Sequence, residues 1–396
     1  MLPSVKRAAI LTVAALTLLV SGLLFAGRIQ AGPDVEVKEV FFTGKSGAQM
    51  RALLFQPKSA TAQTPRPAIL AVHGYLNNGE IQANFATEYA RRGYVVLAPD
   101  QRGHGSSDGP SFADGFGGPD ALAYLRSLPF VDTDNIGLEG HSMGGWTVLA
   151  AAKAHPDGYR SLILEGSSVG PPFAPEGTKA FPRNLLVVFG TRDEFGGFMW
   201  GPEAPLKTGE TARAKVLFGT DQPVVPGRLY GDIAQGTARM LLTPFVTHAW
   251  LHQSATGITP ALQWFDRTLD GGNGLAADDQ IWPWREGGNA LALLAVPGLI
   301  LGLFALTFRA MGGAAIAASP STAPRTVDRR FARLAALAIV PFVLYLPVCM
   351  VAELLLPANA VLSQTFSNQL AAWALVSAAL EACAAQLGKL LVRVSL

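Results

Sequence analysis

Charge is scarce in this chain. Of its 396 residues 15% are Asp, Glu, Lys or Arg, and 49% are hydrophobic. Soluble domains average about 25% charged residues, so a purely soluble protein is disfavoured. The charge that exists nearly cancels, 31 basic residues against 29 acidic, and no basic excess points to nucleic acid. Cysteine is scarcer still. Cys349 and Cys383 both lie in apolar stretches near the C-terminus, which excludes a disulfide framework, a Cys-based zinc site and a thiol nucleophile from the centre of the chain. A Walker A loop, a dinucleotide glycine fingerprint and an H-E-x-x-H pair are also missing, so no cofactor or metal is expected.

The few charges are unevenly placed. Residues 1–28 carry Lys6, Arg7 and Arg28 with no acid, and residues 290–396 carry seven basic residues against Asp328, Glu353 and Glu381, which leaves the centre at −5. Apolar, basic ends around an acidic centre are a membrane-protein distribution. Residues 8–27 hold no charge, and twenty such residues span a bilayer as a helix. This run exceeds the roughly 7–15 residues of a signal-peptide core and has no clean A-x-A site, which favours an uncleaved anchor. Ala290–Phe308 and Leu334–Ala352 are two further uncharged runs. Leu370–Leu380 is shorter and meets Glu381; it reads as a fourth span reaching about residue 388 or as an interfacial helix. The expected organisation is an anchor at 1–28, a central domain at 29–289 and a transmembrane region at 290–396. Lys6 and Arg7 place the N-terminus in the cytoplasm. Arg309, Arg325, Arg329, Arg330 and Arg333 place the following loop, with its flexible Ala/Gly/Ser/Pro-rich stretch Met311–Arg325, on the same side. Arg28 argues mildly the other way. The chain is thus expected to be a multi-pass protein of the cell membrane with its central domain on the extracytoplasmic side.

Within that domain, short β-rich runs alternate with helical periods. Asp34–Thr43 and Met50–Gln56 read as an antiparallel pair. Ala68–Val72, Tyr94–Ala98, Ile136–Glu139, Ser161–Glu165, Leu185–Phe189 and Ala238–Leu242 follow, with helix-like segments such as Ile81–Arg92, Pro119–Leu128 and Trp146–His155 between them. Such alternation specifies an α/β fold: a mostly parallel sheet with helices on both faces.

The string G-x-S-x-G occurs three times. Gly105–Gly109 runs straight into Pro110, and Gly166–Gly170 is followed by Pro171-Pro172, which blocks a helix. Only Gly140-His141-Ser142-Met143-Gly144 follows a strand and opens a helix. That context defines a nucleophile elbow, a sharp strand-to-helix turn whose flanking positions admit only glycine. Ser142 is therefore the candidate nucleophile. An acid and a His should follow in that order. Asp193 stands just past the strand Leu185–Phe189, and His248 on the loop after Ala238–Leu242. The His would take the serine proton and the carboxylate would fix its tautomer. Glu165, at a strand end, ranks well behind Asp193 as the acid, and Glu194 is expected to point elsewhere. His252 reads as a neighbour of His248, His155 as a helix-end residue, and His141 as part of the elbow without being required by it. Two backbone N–H groups should face the developing oxyanion: Met143, directly after Ser142, and Tyr75, in His73-Gly74-Tyr75 after the strand Ala68–Val72.

His73-Gly74, the string Asp100-Gln101-Arg102-Gly103-His104-Gly105-Ser106-Ser107, the elbow, Asp193 and His248 together resemble the α/β-hydrolase superfamily, and most of all its monoacylglycerol-lipase and serine-aminopeptidase-like branch. The resemblance covers roughly residues 34–270. It implies the α/β-hydrolase fold with an eight-stranded sheet and a serine hydrolase that cleaves carboxylic esters, lipid esters or amides through an acyl-enzyme; the apolar ends make that hydrolase membrane-anchored. In that family the Asp100–Ser107 string is mainly structural. Two departures stand out: little room for a cap between Glu165 and Leu185, and a long segment Phe195–Gly236 that reads as a replacement lid. Two other functions stay open, an acyltransferase using the same triad and a non-catalytic hydrolase-fold binding module in a membrane sensor or transporter. Small-molecule or lipid esters and membrane lipids are the expected partners. Acyl preference and oligomeric state are not specified by the sequence.

Overall fold

The computed structural model describes residues 3–310, 327–356 and 365–394; the loop expected at Met311–Arg325 lies outside them. The chain divides into two compact units, Ala15–Val296 and Met1–Ala14 with Pro297–Leu396.

The larger unit is built on eight strands: β1 (Val35–Thr43), β2 (Gln49–Pro57), β3 (Arg66–Val72), β4 (Val95–Pro99), β5 (Val131–His141), β6 (Ser161–Glu165), β7 (Leu185–Val188) and β8 (Arg239–Leu242). Their order in the sheet is β1-β2-β4-β3-β5-β6-β7-β8. The β1–β2 and β2–β4 pairs are antiparallel, and every later pair is parallel. Strands β3, β4, β6 and β7 are buried along almost their whole length, which is why they read as unbroken apolar runs; parallel strands are covered on both faces. One face packs against α3 (Gly118–Ser127) and α4 (Met143–Ala154), around Leu138, Leu164, Leu122 and Leu149. The other packs against α2 (Ala83–Arg91) and α7 (Ala255–Thr268), around Ile69, Ile163, Tyr89 and Phe265. The fold class is the expected one. Most boundaries shifted by one to three residues, and two starts shifted by five. β5 starts at Val131, five residues early, because Val131 pairs with Arg66 across a register shift. The last helix, which the sequence pattern places at Pro260–Leu269, is α7; it starts at Ala255 and carries Pro260 inside it.

No helix forms between β6 and β7. The long segment after β7 folds into two short helices, α5 (Gly196–Trp200) and α6 (Ala212–Phe218), joined by irregular chain.

Among the described residues two helices, α1 (Val5–Ala31) and α8 (Trp282–Ala310), are long and apolar enough to cross a membrane. Within the larger unit they touch backbone to backbone: a Cβ on Gly22 would lie 2.6 Å from the Gly288 carbonyl oxygen, and one on Gly288 2.8 Å from that of Gly22. Small residues permit this approach between apolar helices. In the smaller unit Gly302 faces Thr12 in the same way. That unit also holds α9 (Val327–Leu355) and α10 (Thr365–Val394), which cover the two later apolar runs. The Trp373 indole of α10 donates to the Pro341 carbonyl of α9 at 2.7 Å.

Candidate active site

Ser142 stands alone between β5 and α4 with φ 55° and ψ −121°. A non-glycine residue in this region is strained, and such strain persists only where the surroundings impose it. The surroundings are visible. A Cβ on Gly140 would lie 2.2 Å from the Gly144 carbonyl oxygen, and one on Gly144 2.1 Å from that of Val72 on β3. Strand and helix therefore close on Ser142 from both sides, as the glycine spacing predicts. The Ser142 N–H donates to the Glu165 carbonyl at 2.9 Å, and its own carbonyl accepts from the Ser167 hydroxyl at 2.6 Å.

Past β7, Asp193 is almost fully buried. Its Oδ1 accepts the Phe195 N–H at 2.9 Å, and its Oδ2 lies 2.7 Å from His248 Nδ1. His248 comes from the loop after β8, so two loops 55 residues apart meet here. Gly166 admits the pair: a Cβ there would come within 3.1 Å of His248 Nδ1 and 3.3 Å of Asp193 Oδ2. The β3–α2 loop lies against the elbow, since a Cβ on Gly74 would sit 3.1 Å from Ser142 Cβ. That loop carries Tyr75, whose ring is half exposed. Met143 is the first residue of α4, where an N–H has no intrahelical acceptor. Such an arrangement can supply a nucleophile at the elbow, a base with an orienting carboxylate, and a helix N-terminus that favours negative charge beneath Ser142.

The other serine strings are structural. Ser107 is buried, donates to the Asp100 carbonyl at 2.8 Å and accepts the Arg51 N–H at 2.9 Å. Ser168 is buried in irregular chain with no helix after it. Asp100 accepts the N–H groups of Gly79 and Ser106, both at 2.8 Å, which fastens one loop to another.

The expectation for Glu194 is corrected: its carboxylate turns back and accepts the backbone N–H of His248 at 3.3 Å. Glu165 makes no hydrogen bond to His248. It is fully buried, neither carboxyl oxygen has a partner among the described residues, and burial with the nearby Glu139 pushes its carboxyl well above the usual range. His155 caps the end of α4. His141 does more than its place in the elbow suggests. Its Nε2 lies 3.0 Å from the His248 carbonyl, and its ring sits 4.7 Å from that of His248 and 4.4 Å from that of His252. Burial lowers His141 far below the ordinary imidazole value, and lowers His73 to about 3 and His252 to about 4. All three imidazoles are therefore held in the neutral form near pH 7.

A run of aromatic side chains borders the elbow. Phe195 meets His248 edge-on at 4.7 Å, Trp146 stacks on Phe173 at 4.7 Å, and Phe112 lies between Phe173 and Tyr75. Phe198 joins Trp146 from α5. Tyr75, Phe112, Phe173, Phe195 and Phe198 are all exposed. The sequence reading missed this surface, because its members come from five separate segments.

Residues 67–195 match the family model described as alpha/beta hydrolase fold. The chain is 35% identical over 98 residues to an uncharacterized protein of Mycobacterium tuberculosis, covering 25% of this chain and 28% of that one. It is 28% identical over 136 residues to a monoacylglycerol lipase of Mycolicibacterium smegmatis, covering 32% and 46%. The matched stretches therefore span less than half the length of these curated relatives. Among solved structures, an esterase of Pyrococcus furiosus aligns with 60% of this chain and 94% of its own at 16% identity and a TM-score of 0.43. The eight-stranded domain has the α/β-hydrolase fold, and the chain resembles the monoacylglycerol-lipase branch of that superfamily.

Proposed function

We propose that the protein is a membrane-anchored serine hydrolase of carboxylic esters. The observation that carries this reading is the strained Ser142 at a strand–helix elbow together with the 2.7 Å His248–Asp193 pair. In the proposed reaction His248 Nε2 takes the Ser142 hydroxyl proton as Oγ attacks the ester carbonyl. Asp193 holds Nδ1–H and steadies the imidazolium, and the Tyr75 and Met143 N–H groups receive the oxyanion. The proton passes to the leaving alcohol, and water then cleaves the acyl-enzyme by the same base. The exposed aromatic border suits an ester with an apolar acyl part, and the relative named a monoacylglycerol lipase agrees with that choice. The test is labelling with a fluorophosphonate followed by peptide mapping. Modification is expected at Ser142 and should be lost in Ser142→Ala and His248→Ala; labelling at Ser107 or Ser168 would overturn the assignment.

In the same reading the anchor is 1–28, the hydrolase domain 29–289 and the membrane region 290–396, with the hydrolase domain on the extracytoplasmic face. Support comes from the two long apolar helices and from the arginines that follow the second. External protease should digest the domain in spheroplasts and spare the 309–333 loop; a protected domain would reverse the topology.

A further inference from the structure

Arg285 lies in the first turn and a half of α8, ahead of the helix's uncharged run, and its side chain is buried against the hydrolase domain. Its guanidinium makes four kinds of contact. Nη1 donates to Asn84 Oδ1 at 3.0 Å and to Glu286 at 2.6 Å, Nε donates to Gln30 Oε1 of α1 at 3.0 Å, and Nη2 donates to the Glu80 carbonyl at 3.4 Å. Since Asn84 spends its oxygen on Arg285, its amide nitrogen is free to donate elsewhere, and Nδ2 donates to the His252 carbonyl at 3.3 Å. Asn84 and His252 are both buried. His252 packs on His141, which in turn holds the His248 carbonyl. The start of α8 is fixed on the same helix: Glu88 of α2, fully buried, accepts the N–H groups of Ile281 and Trp282 at 2.6 and 2.9 Å. A single guanidinium thus reaches both loops that bear on Ser142, the β3–α2 loop through Glu80 and the His248 loop through Asn84.

We propose that Arg285 is a positioning residue through which the apolar helix α8 holds the His248 loop in register with the elbow. The proposal rests on the serine-hydrolase reading for its catalytic consequence, but not for the coupling itself. Arg is the residue suited to this task, because its planar fork donates in several fixed directions at once. A small misplacement of a catalytic base costs far more in kcat than in substrate binding.

The test uses the full chain in detergent micelles with three variants, Arg285→Ala, Asn84→Asp and Gln30→Ala. Asn84→Asp keeps a partner for Arg285, now a charged one, and replaces the donor to His252 with an acceptor at nearly unchanged volume, so it separates coupling from a general loss of packing. Hydrogen exchange is read at 244–253, with α4 as the internal reference, and kcat and KM are measured on a soluble p-nitrophenyl ester. Arg285→Ala and Asn84→Asp are expected to speed exchange at 244–253 and leave α4 unchanged. Both should lower kcat about ten- to a hundredfold with KM within about twofold, and the double variant should be no worse than either single one. Gln30→Ala, which removes one of the four contacts, should do the same more weakly. If Asn84→Asp leaves exchange and kcat at the wild-type level, or if KM rises with kcat unchanged, the coupling is overturned. If exchange responds while the wild type hydrolyses no ester, the coupling stands and the hydrolase reading falls.

Discussion

On the α3/α4 side of the sheet the strands present Leu138, Leu162 and Leu164 to Leu122, Val148 and Leu149, all fully buried and apolar. On the α2/α7 side the same strands bury two carboxyl groups, Glu139 and Glu165, with Gln82, Tyr89, His141 and His252. Alternation along β5 produces the contrast, since residues 138 and 139 point to opposite faces. On the first face α4 must approach closely enough for Gly140 and Gly144 to touch backbone, which leaves room only for small or well-packed apolar groups. The second face bears groups that are costly to bury, because a buried polar atom without a partner loses its hydration. Gln82 Nε2 meets both oxygens of Glu139, at 2.8 and 2.7 Å, whereas Glu165 and the Tyr89 hydroxyl have no partner among the described residues. The first face is an apolar core that fixes the turn. The second is a polar layer that reaches from α2 and α8 to the His248 loop.

The most severe test of this division sets two buried acids against each other. Asp193→Asn should lower kcat by about four orders of magnitude by favouring the wrong imidazole tautomer, whereas Glu165→Gln should change it by less than about threefold. Steady-state kinetics on one ester decide it. The reverse result would move the orienting acid to the α2/α7 face and end the distinction between site and supporting layer. Next in size is the apolar face itself. Leu149→Ala should destabilise the fold by about 2–5 kcal/mol through the cavity it leaves, read by thermal or denaturant unfolding in detergent; a loss below about 1 kcal/mol would mean α4 is not packed as described.

Much of this was legible in the sequence because its signals are local. Ser161–Glu165 and Leu185–Phe189 are apolar runs between turns, and only one of three G-x-S-x-G strings had a strand before it and a helix after it. The Asp193 and His248 assignments rested on chain order, which the fold imposes. What was not legible depends on contacts between distant residues. The turn of Glu194 toward His248 spans 54 residues and the His141 contact with the His248 carbonyl spans 107; no local pattern encodes either. The start of β5 was missed because Asp132–Asn135 is polar and reads as a turn, although the strand continues through it on pairing with β3. The link from Arg285 to Asn84 crosses 201 residues, and nothing at either position announces it.

A smaller effect, dependent on pH, probes the polar face. Burial raises the Glu139 carboxyl from 4.5 to about 8, and Glu165 shifts in the same direction. Between about 4.5 and 8 the folded chain holds a proton on Glu139 that the unfolded chain has released, so the contribution of Glu139 to stability falls as pH rises through that window. Glu139→Gln keeps a partner for Gln82 and removes the ionisation. Its melting temperature should match the wild type near pH 5 and exceed it by roughly 2–6 °C near pH 8. Equal curves at both pH values would show that Glu139 is ionised at no cost, and the polar face would then lose its energetic distinction.

The smallest expected effect concerns the Tyr89 hydroxyl, which is fully buried between α2 and α7 and has no hydrogen-bond partner among the described residues. Its ring packs edge-on against Phe265 at 5.3 Å, so Tyr89→Phe preserves the packing and removes only the oxygen. Deleting one member of a hydrogen-bonded pair strands the other and costs about 1–3 kcal/mol, but deleting an unpaired hydroxyl strands nothing. Tyr89→Phe should therefore be neutral or stabilise the fold by up to about 1 kcal/mol, measured by denaturant unfolding at pH 7. It should leave kcat unchanged, since Tyr89 touches neither His248 nor Ser142. A destabilisation above about 1 kcal/mol would mean that the hydroxyl is bonded, through water, to Glu139 or Glu165. The α2/α7 face would then be a satisfied network holding its strands in place, and its difference from the α3/α4 face would be one of chemistry alone.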